Sequence, residues 1–311
     1  MNVSRKVHLW RGVCVCLLLT ALVFSVSCGR FDAATKDEQS GRPQRIVSLT
    51  PSTTEILHAV GAFGRVVAVS DYCTYPPEVE RLPRVGGWNN PNLEQIAALK
   101  PDLAVFWDSQ AQFVKDKLEG IGIRTLSVPS RSLEDAYAAI AQIGEATGNV
   151  EEAQRVLAET RGKVEEVRAR AGALPRRRVL CIVDRVPGTL RDLYAATEGS
   201  FIAQLIEVAG GQSVAPPAQG GWGKIQKEAI VALDPDVIID LMMQPTEGSL
   251  AEDTQAVWRE LSQVRAVREG RVRALRDQTI IHPSQFVGDS ARKFAELIHP
   301  EAFGAATQGA K

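Results

Sequence analysis

The chain has 311 residues, of which 45% are hydrophobic and 23% charged, and its formal net charge at pH 7 is −1. This length suits two domains of ordinary size, and the balanced charge gives no reason to expect a nucleic-acid partner. Without residues 1–27, the chain keeps 33 basic and 37 acidic side chains, a balance of −4.

The first predicted element is a secretory leader. Three basic residues precede an apolar run over 13–26, which is shorter than the roughly 20 residues of a membrane-spanning helix and typical of a signal peptide. Small residues then precede Cys28, although Ser25 stands where a bacterial lipobox usually has Leu or Val. We expect a signal peptide over 1–27 and a protein anchored in the periplasm or at the cell surface through lipidated Cys28. Ordinary secretion and an uncleaved anchor are the alternatives.

A tether and a first lobe follow the leader. Polar residues with Gly, Ser and Pro predict a flexible tether over 28–43. From residue 44, short apolar segments alternate with helical ones, which predicts parallel right-handed units in an α/β lobe over 44–148. The predicted strands are 45–49, 65–70, 103–107 and 124–128, and the predicted helices are 54–60, 92–99 and 110–119.

A long charged helix and a second lobe complete the predicted architecture. Residues 149–174 contain few helix breakers and predict one helix, and the alternation restarts over 175–300. The predicted elements of this lobe are strands 178–183, 237–241 and 271–275 and a helix over 200–208. Residues 301–311 predict a disordered tail. The predicted fold class is α/β, with two Rossmann-like lobes joined by a single long helix.

The cysteines predict no disulfide. Three of the five cysteines lie within residues 1–28, which leaves Cys73 in the first predicted lobe and Cys181 in the second. Export would permit a disulfide between them. Their separation in different lobes favours two free thiols.

One segment of the sequence occurs twice, 134 residues apart. Residues 86–102 and 220–236 are identical at nine of 17 positions, and both contain Gly-Gly-Trp, a Glu six residues after the Trp and a final Pro-Asp. This spacing is too long for a solenoid repeat. It predicts two similar lobes that present a Trp and a Glu at equivalent places, and it favours binding between lobes over a single catalytic centre.

The arrangement resembles the periplasmic substrate-binding proteins of ABC importers, whose lobes are bridged by one rigid helix and which serve cobalamin, siderophores and haem. Residues 69–107 are most similar to the vitamin B12-binding members, with a Tyr-Pro-Pro, a Trp twelve residues after the first Pro, Asn-Leu-Glu, Leu-Lys-Pro-Asp and a closing Trp. The second lobe matches in Trp222, Glu228 and a Pro-Asp, and the resemblance covers about 44–300. It implies a helical-backbone periplasmic binding protein fold. It also implies a monomer that delivers a corrinoid to an ABC permease dimer with its ATPase subunits.

Four aromatic residues are candidate ligand contacts. Trp88 and Trp222 each follow Gly-Gly and precede a predicted helix, which predicts a loop at a strand end. Tyr72 follows one predicted strand and Trp107 ends another, and open α/β sheets bind ligands at the carboxyl ends of their strands. The resemblance implies that all four rings contact the corrinoid across a cleft; ordinary packing is the alternative. Trp258 has no counterpart in the repeat, and we expect it to be structural.

The repeated glutamates, Glu94 and Glu228, admit two interpretations. Near the start of a helix, a carboxylate stabilises the helix dipole by about 0.3–1 kcal/mol, which is a complete structural explanation. The resemblance favours a second role, in which one acidic side chain on each lobe docks onto arginines of the two-fold symmetric permease.

Asp277 and His282 follow the last predicted strand of lobe 2, where the family places a loop that lines the ligand. Vitamin B12-binding proteins usually have an arginine-bearing Ser-Pro turn there, whereas this chain has His282-Pro-Ser. A neutral imidazole that faces the cleft could coordinate cobalt or haem iron; a turn residue without that role is the alternative. Residues 192–201 are a further candidate border of the cleft.

Other functions are weighed on the same residues. A metal-ion receptor needs several His and carboxylate ligands, and the predicted lobes contain three histidines. The sequence has no nucleophile elbow, P-loop or zinc-protease motif, so we expect no enzyme and no catalytic cofactor. Haem or a ferric siderophore in the same transport role is the main alternative to a corrinoid. An anionic siderophore favours an arginine-lined cleft, which Arg185, Arg191 and Arg276 could supply.

Overall fold

The computed structural model describes residues 41–241 and 252–304. The predicted signal peptide, Cys28, most of the predicted tether and the end of the predicted tail lie outside these residues. Within the two described ranges, no helix is both long enough and apolar enough to cross a membrane. The predicted α/β fold class is confirmed.

Lobe 1 is built on a four-stranded parallel sheet in the order β2-β1-β3-β4. Its strands are β1 (Ile46–Ser48), β2 (Val66–Val69), β3 (Leu103–Trp107) and β4 (Arg124–Val128), and its helices are α1 (Pro51–Ala59), α2 (Leu93–Ala98), α3 (Ala111–Gly120) and α4 (Leu133–Thr147). The chain leaves β1 for β2 on one side and later returns to β3 on the other. The carboxyl ends of β1 and β3 therefore form the switch point at which open α/β sheets bind ligands.

Helix α1 begins about three residues before its predicted start near Thr54. It begins at Pro51, because a proline in the first turn loses no helical hydrogen bond. The additional turn places Ser52 on the helix, where it is buried together with Glu55. Both side chains belong to the site described below.

Two helices brace the lobes against each other. The predicted long helix is α5 (Val150–Ala171), and α4 packs along it. Leu133 and Tyr137 of α4 lie in the core of lobe 2, whereas Ile140 and Ile143 of the same helix lie in the core of lobe 1. Helix α5 connects the two lobes through the chain itself, and helix α4 connects them through its packing in both cores.

Lobe 2 is built on a six-stranded mixed sheet in the order β10-β9-β5-β6-β8, with β7 paired to β5. Strands β5, β7, β9 and β10 pair in parallel, whereas β6 pairs antiparallel with β5 and β8. The strands are β5 (Arg177–Asp184), β6 (Tyr194–Ala196), β7 (Gly211–Ser213), β8 (Trp222–Lys224), β9 (Val237–Leu241) and β10 (Val272–Leu275). The helices are α6 (Phe201–Val208), α7 (Lys227–Leu233), α8 (Thr254–Trp258), α9 (Arg265–Arg268), α10 (Val287–Ile298) and α11 (Pro300–Phe303).

The antiparallel ribbon of β6 and β8 was not predicted. Each strand has three residues, too few for an alternating pattern to be recognised. Trp222 begins strand β8, so the prediction of a loop there is wrong, whereas Trp88 does lie in a loop. The two Gly-Gly-Trp copies differ in backbone conformation. The positive φ falls on the first glycine in copy one (Gly86, 93°) and on the second glycine in copy two (Gly221, 81°).

The folded chain extends past the predicted start of the tail at residue 301. Residues 301–303 belong to α11, and Phe303 is buried in the core of lobe 2. Arg177 Nη2 also donates to Glu301 Oε1 at 2.7 Å. The prediction of disorder is therefore wrong for these three residues, because an apolar anchor and an ion pair hold them to the lobe.

The repeated segment fastens the first strand of each lobe in the same way. Asp102 Oδ1 accepts a hydrogen bond from the N–H of Arg45 at 2.9 Å, and Arg45 Nη2 donates to the carbonyl of Leu99 at 2.7 Å. The same contacts recur in lobe 2, at 2.9 and 2.8 Å, among Arg178, Asp236 and Leu233. These bonds account for the leucine and aspartate shared by the two copies. They do not account for the shared tryptophan and glutamate.

Candidate functional site

Buried hydroxyl groups fix the carboxyl end of β1. Ser48 Oγ lies 2.7 Å from Thr53 Oγ1 and accepts a hydrogen bond from Thr54 Oγ1 at 2.8 Å. Thr54 Oγ1 and Ser70 Oγ each lie 3.2 Å from Cys73 Sγ. Burial raises the pKa of the Cys73 thiol, which keeps it protonated at neutral pH. This network holds α1 and the segment after β2 against the switch point.

Trp107 lies at the carboxyl end of β3, where the sequence predicted it. Its Nε1 donates a hydrogen bond to Ser52 Oγ on α1 at 2.6 Å. The ring is partly buried and packs against the core of lobe 1. Because its one polar atom is already paired, the exposed part of the ring is an apolar surface.

Tyr72 and the loop that carries Trp88 lie together at the ends of β2 and α2. The N–H of Asp71 donates to the carbonyl of Gly86 at 3.0 Å, and the N–H of Gly86 donates back to Asp71 Oδ1 at 3.1 Å. The Tyr72 ring covers Gly87, since a Cβ at Gly87 would lie 3.5 Å from the Tyr72 hydroxyl. Tyr72 is 50% exposed and Trp88 is partly exposed.

Gln110 anchors the Trp88 loop, a role that the sequence did not reveal. Its side chain is fully buried, and its Nε2 donates to the carbonyl of Trp88 at 2.7 Å. The indole of Trp88 packs edge-to-face on Phe113 of α3 at a centroid distance of 5.2 Å. The loop is thus held in place at its backbone and at its side chain.

Lobe 2 contributes an exposed aromatic pair on the β6–β8 ribbon. Tyr194 pairs with Lys224 and Ala196 pairs with Trp222. Residues two apart in a strand share a face, so Tyr194 and Trp222 are diagonal neighbours on one face of the ribbon. They are 41% and 42% exposed. Tyr194 lies in residues 192–201, the candidate border of the cleft, but no sequence pattern identified this residue by itself.

His282 contacts lobe 1. Its Nδ1 lies 2.6 Å from Oε1 of Glu55, which is 1% exposed, and the other carboxylate oxygen, Oε2, is buried without a hydrogen-bond partner among the described residues. Nearby, Tyr75 of lobe 1 and Phe286 of lobe 2 make an edge-to-face contact at 5.1 Å. These contacts place the His282 segment at the boundary between the lobes.

Asp277 has a structural role in the described chain. Its Oδ1 accepts hydrogen bonds from the N–H of Thr279 at 3.0 Å and from the Thr279 hydroxyl at 2.7 Å, and so caps a short 3-10 turn over Gln278–Ile281. Asp277 is exposed. Within the described residues, its side-chain hydrogen bonds go to Thr279 and not to any of the four predicted aromatic residues. Its assignment to the ligand stays a prediction.

Two of the three candidate cleft arginines are engaged inside lobe 2. Arg185 is 3% exposed, and its Nε donates to Asp240 Oδ2 at 2.9 Å while its guanidinium also binds Glu252. Arg276 Nη1 donates to the carbonyl of Asp240 at 2.6 Å. Trp258 is fully buried and donates to the same Asp240 carboxylate at 2.6 Å, so it is structural, as expected. Burial acts to raise the pKa of Glu252, but hydrogen bonds from Arg185 and a backbone N–H lower it below its ordinary value.

Glu94 and Glu228 occupy equivalent positions, each the second residue of a short helix. Both side chains are exposed, and within 41–241 and 252–304 neither enters a hydrogen bond or ion pair.

The cysteines and the possible metal ligands are the remaining predicted features. Cys73 and Cys181 are buried free thiols, as predicted. Among the described residues, no three His, Cys, Asp or Glu side chains are grouped so that they could hold a metal ion.

Comparison with known proteins identifies relatives over most of the chain. A family model described as "Periplasmic binding protein" matches residues 46–279. The ABC transporter substrate-binding lipoprotein YvrC of Bacillus subtilis, itself uncharacterized, is 30% identical over 270 residues, which cover 84% of this chain and 82% of that protein. The vitamin B12-binding protein of Pectobacterium atrosepticum is 27% identical over 222 residues, which cover 70% of this chain and 76% of that protein.

Solved structures share the fold. The periplasmic vitamin B12 binding protein BtuF of Vibrio cholerae matches with a TM-score of 0.72 at 23% identity, over 85% of this chain and 99% of that chain. A periplasmic haem-binding protein of Pseudomonas aeruginosa matches with the same TM-score and identity, over 85% of this chain and 96% of that chain. Proteins with different ligands are thus equally similar in backbone, so the fold leaves the choice of ligand to the side chains.

Proposed function

Because this chain belongs to the periplasmic binding protein family and is an extracytoplasmic substrate-binding protein of an ABC importer, we propose that it captures cobalamin or a related corrinoid between its lobes. It delivers this ligand to an inner-membrane permease dimer with its ATPase subunits, as a monomer tethered by lipidated Cys28. The protein catalyses no covalent step.

The observation that carries this proposal is the set of aromatic side chains that lobe 1 places at the carboxyl ends of its strands and that lobe 2 exposes on the β6–β8 ribbon. The Trp107 ring is fixed by a hydrogen bond to Ser52, and the Trp88 ring is fixed by its packing on Phe113 and by the bond from Gln110 to its backbone. A ring that is already held in place loses little freedom when a ligand stacks on it. Such walls suit a flat, partly apolar macrocycle, with Tyr72 beside Trp88 on lobe 1 and the exposed pair of Tyr194 and Trp222 on lobe 2.

The engagement of two of the three candidate arginines supports a corrinoid over haem or a ferric siderophore, although Arg191 is exposed. Haem carries two propionates and many siderophores are anionic, so both call for free cationic side chains. Arg185 is buried between Asp240 and Glu252. Arg276 is partly buried and donates to the carbonyl of Asp240 and to the hydroxyl of Thr254. The rim of a corrin carries neutral amides, which need hydrogen-bond acceptors and apolar walls. The vitamin B12-binding relative supports the same choice.

Calorimetric titration of cyanocobalamin and of haemin into the purified protein tests the proposal. We expect one-to-one binding of cyanocobalamin at micromolar affinity or tighter, and weaker binding of haemin. Trp88→Ala removes a wall of the site and is expected to weaken cyanocobalamin binding, while Phe63→Ala, which changes an aromatic residue remote from the switch point, leaves it unchanged. Tight binding of haemin without binding of cyanocobalamin would transfer the assignment to haem.

A further inference from the structure

His282 is held in an orientation that leaves one ring nitrogen free. Its Nδ1 lies 2.6 Å from Glu55 Oε1. The contact with Glu55 occupies Nδ1, which leaves Nε2 as the ring nitrogen that is available to a ligand. Among the described residues Nε2 has no recorded hydrogen-bond partner, and the side chain is 12% exposed.

The carboxylate behind His282 is unusual. Glu55 is 1% exposed, and its Oε2 has no hydrogen-bond partner within the described chain. A buried carboxylate with a single partner is costly, so packing alone does not explain it. A carboxylate that accepts from one imidazole nitrogen is, however, the usual way in which proteins orient the other nitrogen toward a metal and raise its basicity.

The position of the pair matches the proposed ligand site. Glu55 lies one helical turn after Ser52, on the same face of α1, and Ser52 accepts the hydrogen bond of the Trp107 indole. His282 itself comes from lobe 2. The imidazole therefore contacts α1 one helical turn from the residue that holds Trp107, at the boundary between the lobes.

We propose that His282, oriented by Glu55, coordinates the cobalt of the corrinoid through Nε2. The inference rests on the proposed function. The Nε2 lone pair forms a Co–N bond and a cobalt-bound water leaves, with no change in oxidation state, while the Nδ1 proton stays in its hydrogen bond to Glu55. The site would thus favour corrinoids with an exchangeable axial position, such as cobinamide, which lacks the nucleotide base.

Electron paramagnetic resonance of cob(II)inamide bound to the protein tests this coordination. Cobinamide has no axial nitrogen of its own, so nitrogen splitting of the cobalt lines can come only from the protein. We expect this splitting in the wild-type protein and in His58→Gln, which changes a histidine whose ring packs on Phe63 and Tyr75, and we expect its loss in His282→Gln. Glu55→Gln is expected to weaken cobinamide binding by roughly 10- to 100-fold, as other changes behind a metal ligand do.

The outcomes separate the two proposals. Tight cobinamide binding without nitrogen splitting, or splitting that persists in His282→Gln, would overturn cobalt coordination and leave the corrinoid receptor standing. Failure of both cobinamide and cyanocobalamin to bind the wild-type protein would overturn the proposed function together with this inference. Circular dichroism of each variant establishes that the fold is retained.

Discussion

The side chains that hold Trp88 and His282 in place come from parts of the chain that are distant in sequence. Gln110 reaches back 22 residues to the carbonyl of Trp88, and Glu55 meets His282 across 227 residues. The positions of Tyr72, Trp88 and Trp107 relative to the strands could be predicted from the sequence, because they follow from local patterns, whereas their contact with a ligand stays a prediction. Gln110 and Glu55 could not, since only the tertiary fold brings their partners to them.

Gln110 offers a test of whether the Trp88 loop must be held in place for binding. Gln110→Leu keeps the size of the side chain but removes the donor to the Trp88 carbonyl. Loss of one such bond costs about 0.5–1.5 kcal/mol, which corresponds to a roughly 2- to 12-fold loss of corrinoid affinity if it falls on the bound state. Calorimetry of the variant measures this loss.

A neighbouring glutamine provides the control for that experiment. Gln112 is exposed, and its Nε2 donates to the carbonyl of Ser109 at 3.3 Å. Gln112→Leu is therefore expected to leave corrinoid affinity unchanged. Equal effects of the two substitutions would show that the hydrogen bond to Trp88 does not position the loop.

At the scale of elements, the lobes are held through the packing of helices. Helix α10 of lobe 2 lies against the connecting helix α5, and they approach closely at Gly288, which has no side chain. A Cβ there would lie 2.5 Å from Cβ of Lys163 and 3.3 Å from the carbonyl of Thr160. A side chain larger than hydrogen would have to push the two helices apart.

Gly288→Ala is expected to destabilise the protein by about 1–3 kcal/mol, the usual effect of overpacking a close contact. Gly162 is the matched control, because it lies in α5 and a methyl group added there would meet open space among the described residues. Gly162→Ala is expected to stabilise the protein by about 0.5–1 kcal/mol, since alanine is the better helix former. Thermal unfolding of both variants checks that the two changes in stability have opposite signs. An unchanged stability of Gly288→Ala would contradict the close packing.

The elements differ in how far the sequence predicts them. Strand β4 begins and ends where it was expected, at Arg124 and Val128, because the segment is bounded by glycines on one side and a proline on the other. Strands β6 and β8 were missed, because a three-residue strand has no measurable period and is defined by its partner. The same shortness explains why the loop predicted for Trp222 was wrong.

At the scale of the whole molecule, the lobes repeat one framework. Equivalent arginine, leucine and aspartate residues fasten β1 and β5, and residues with positive φ, Lys100 and Asp234, occur at equivalent positions after α2 and α7. These contacts explain most of the repeat as structure. Glu94 in the first copy and Glu228 in the second are exposed, which agrees with a role other than stabilising the fold.

We predict that this pair of glutamates docks the protein onto the permease. A pair of acidic side chains on equivalent helices matches two equivalent basic sites of a permease dimer, and both contacts are needed for full engagement. Reversing both charges, with Glu94→Lys and Glu228→Lys, is expected to abolish ligand-dependent stimulation of ATP hydrolysis by the cognate importer in proteoliposomes while corrinoid affinity stays unchanged. The control variant, Glu78→Lys with Glu207→Lys, changes the net charge equally at exposed sites on the two lobes and is expected to retain stimulation. Loss of stimulation in both double variants would reduce the effect to overall charge, and loss of corrinoid binding in the first would assign the glutamates to the ligand site.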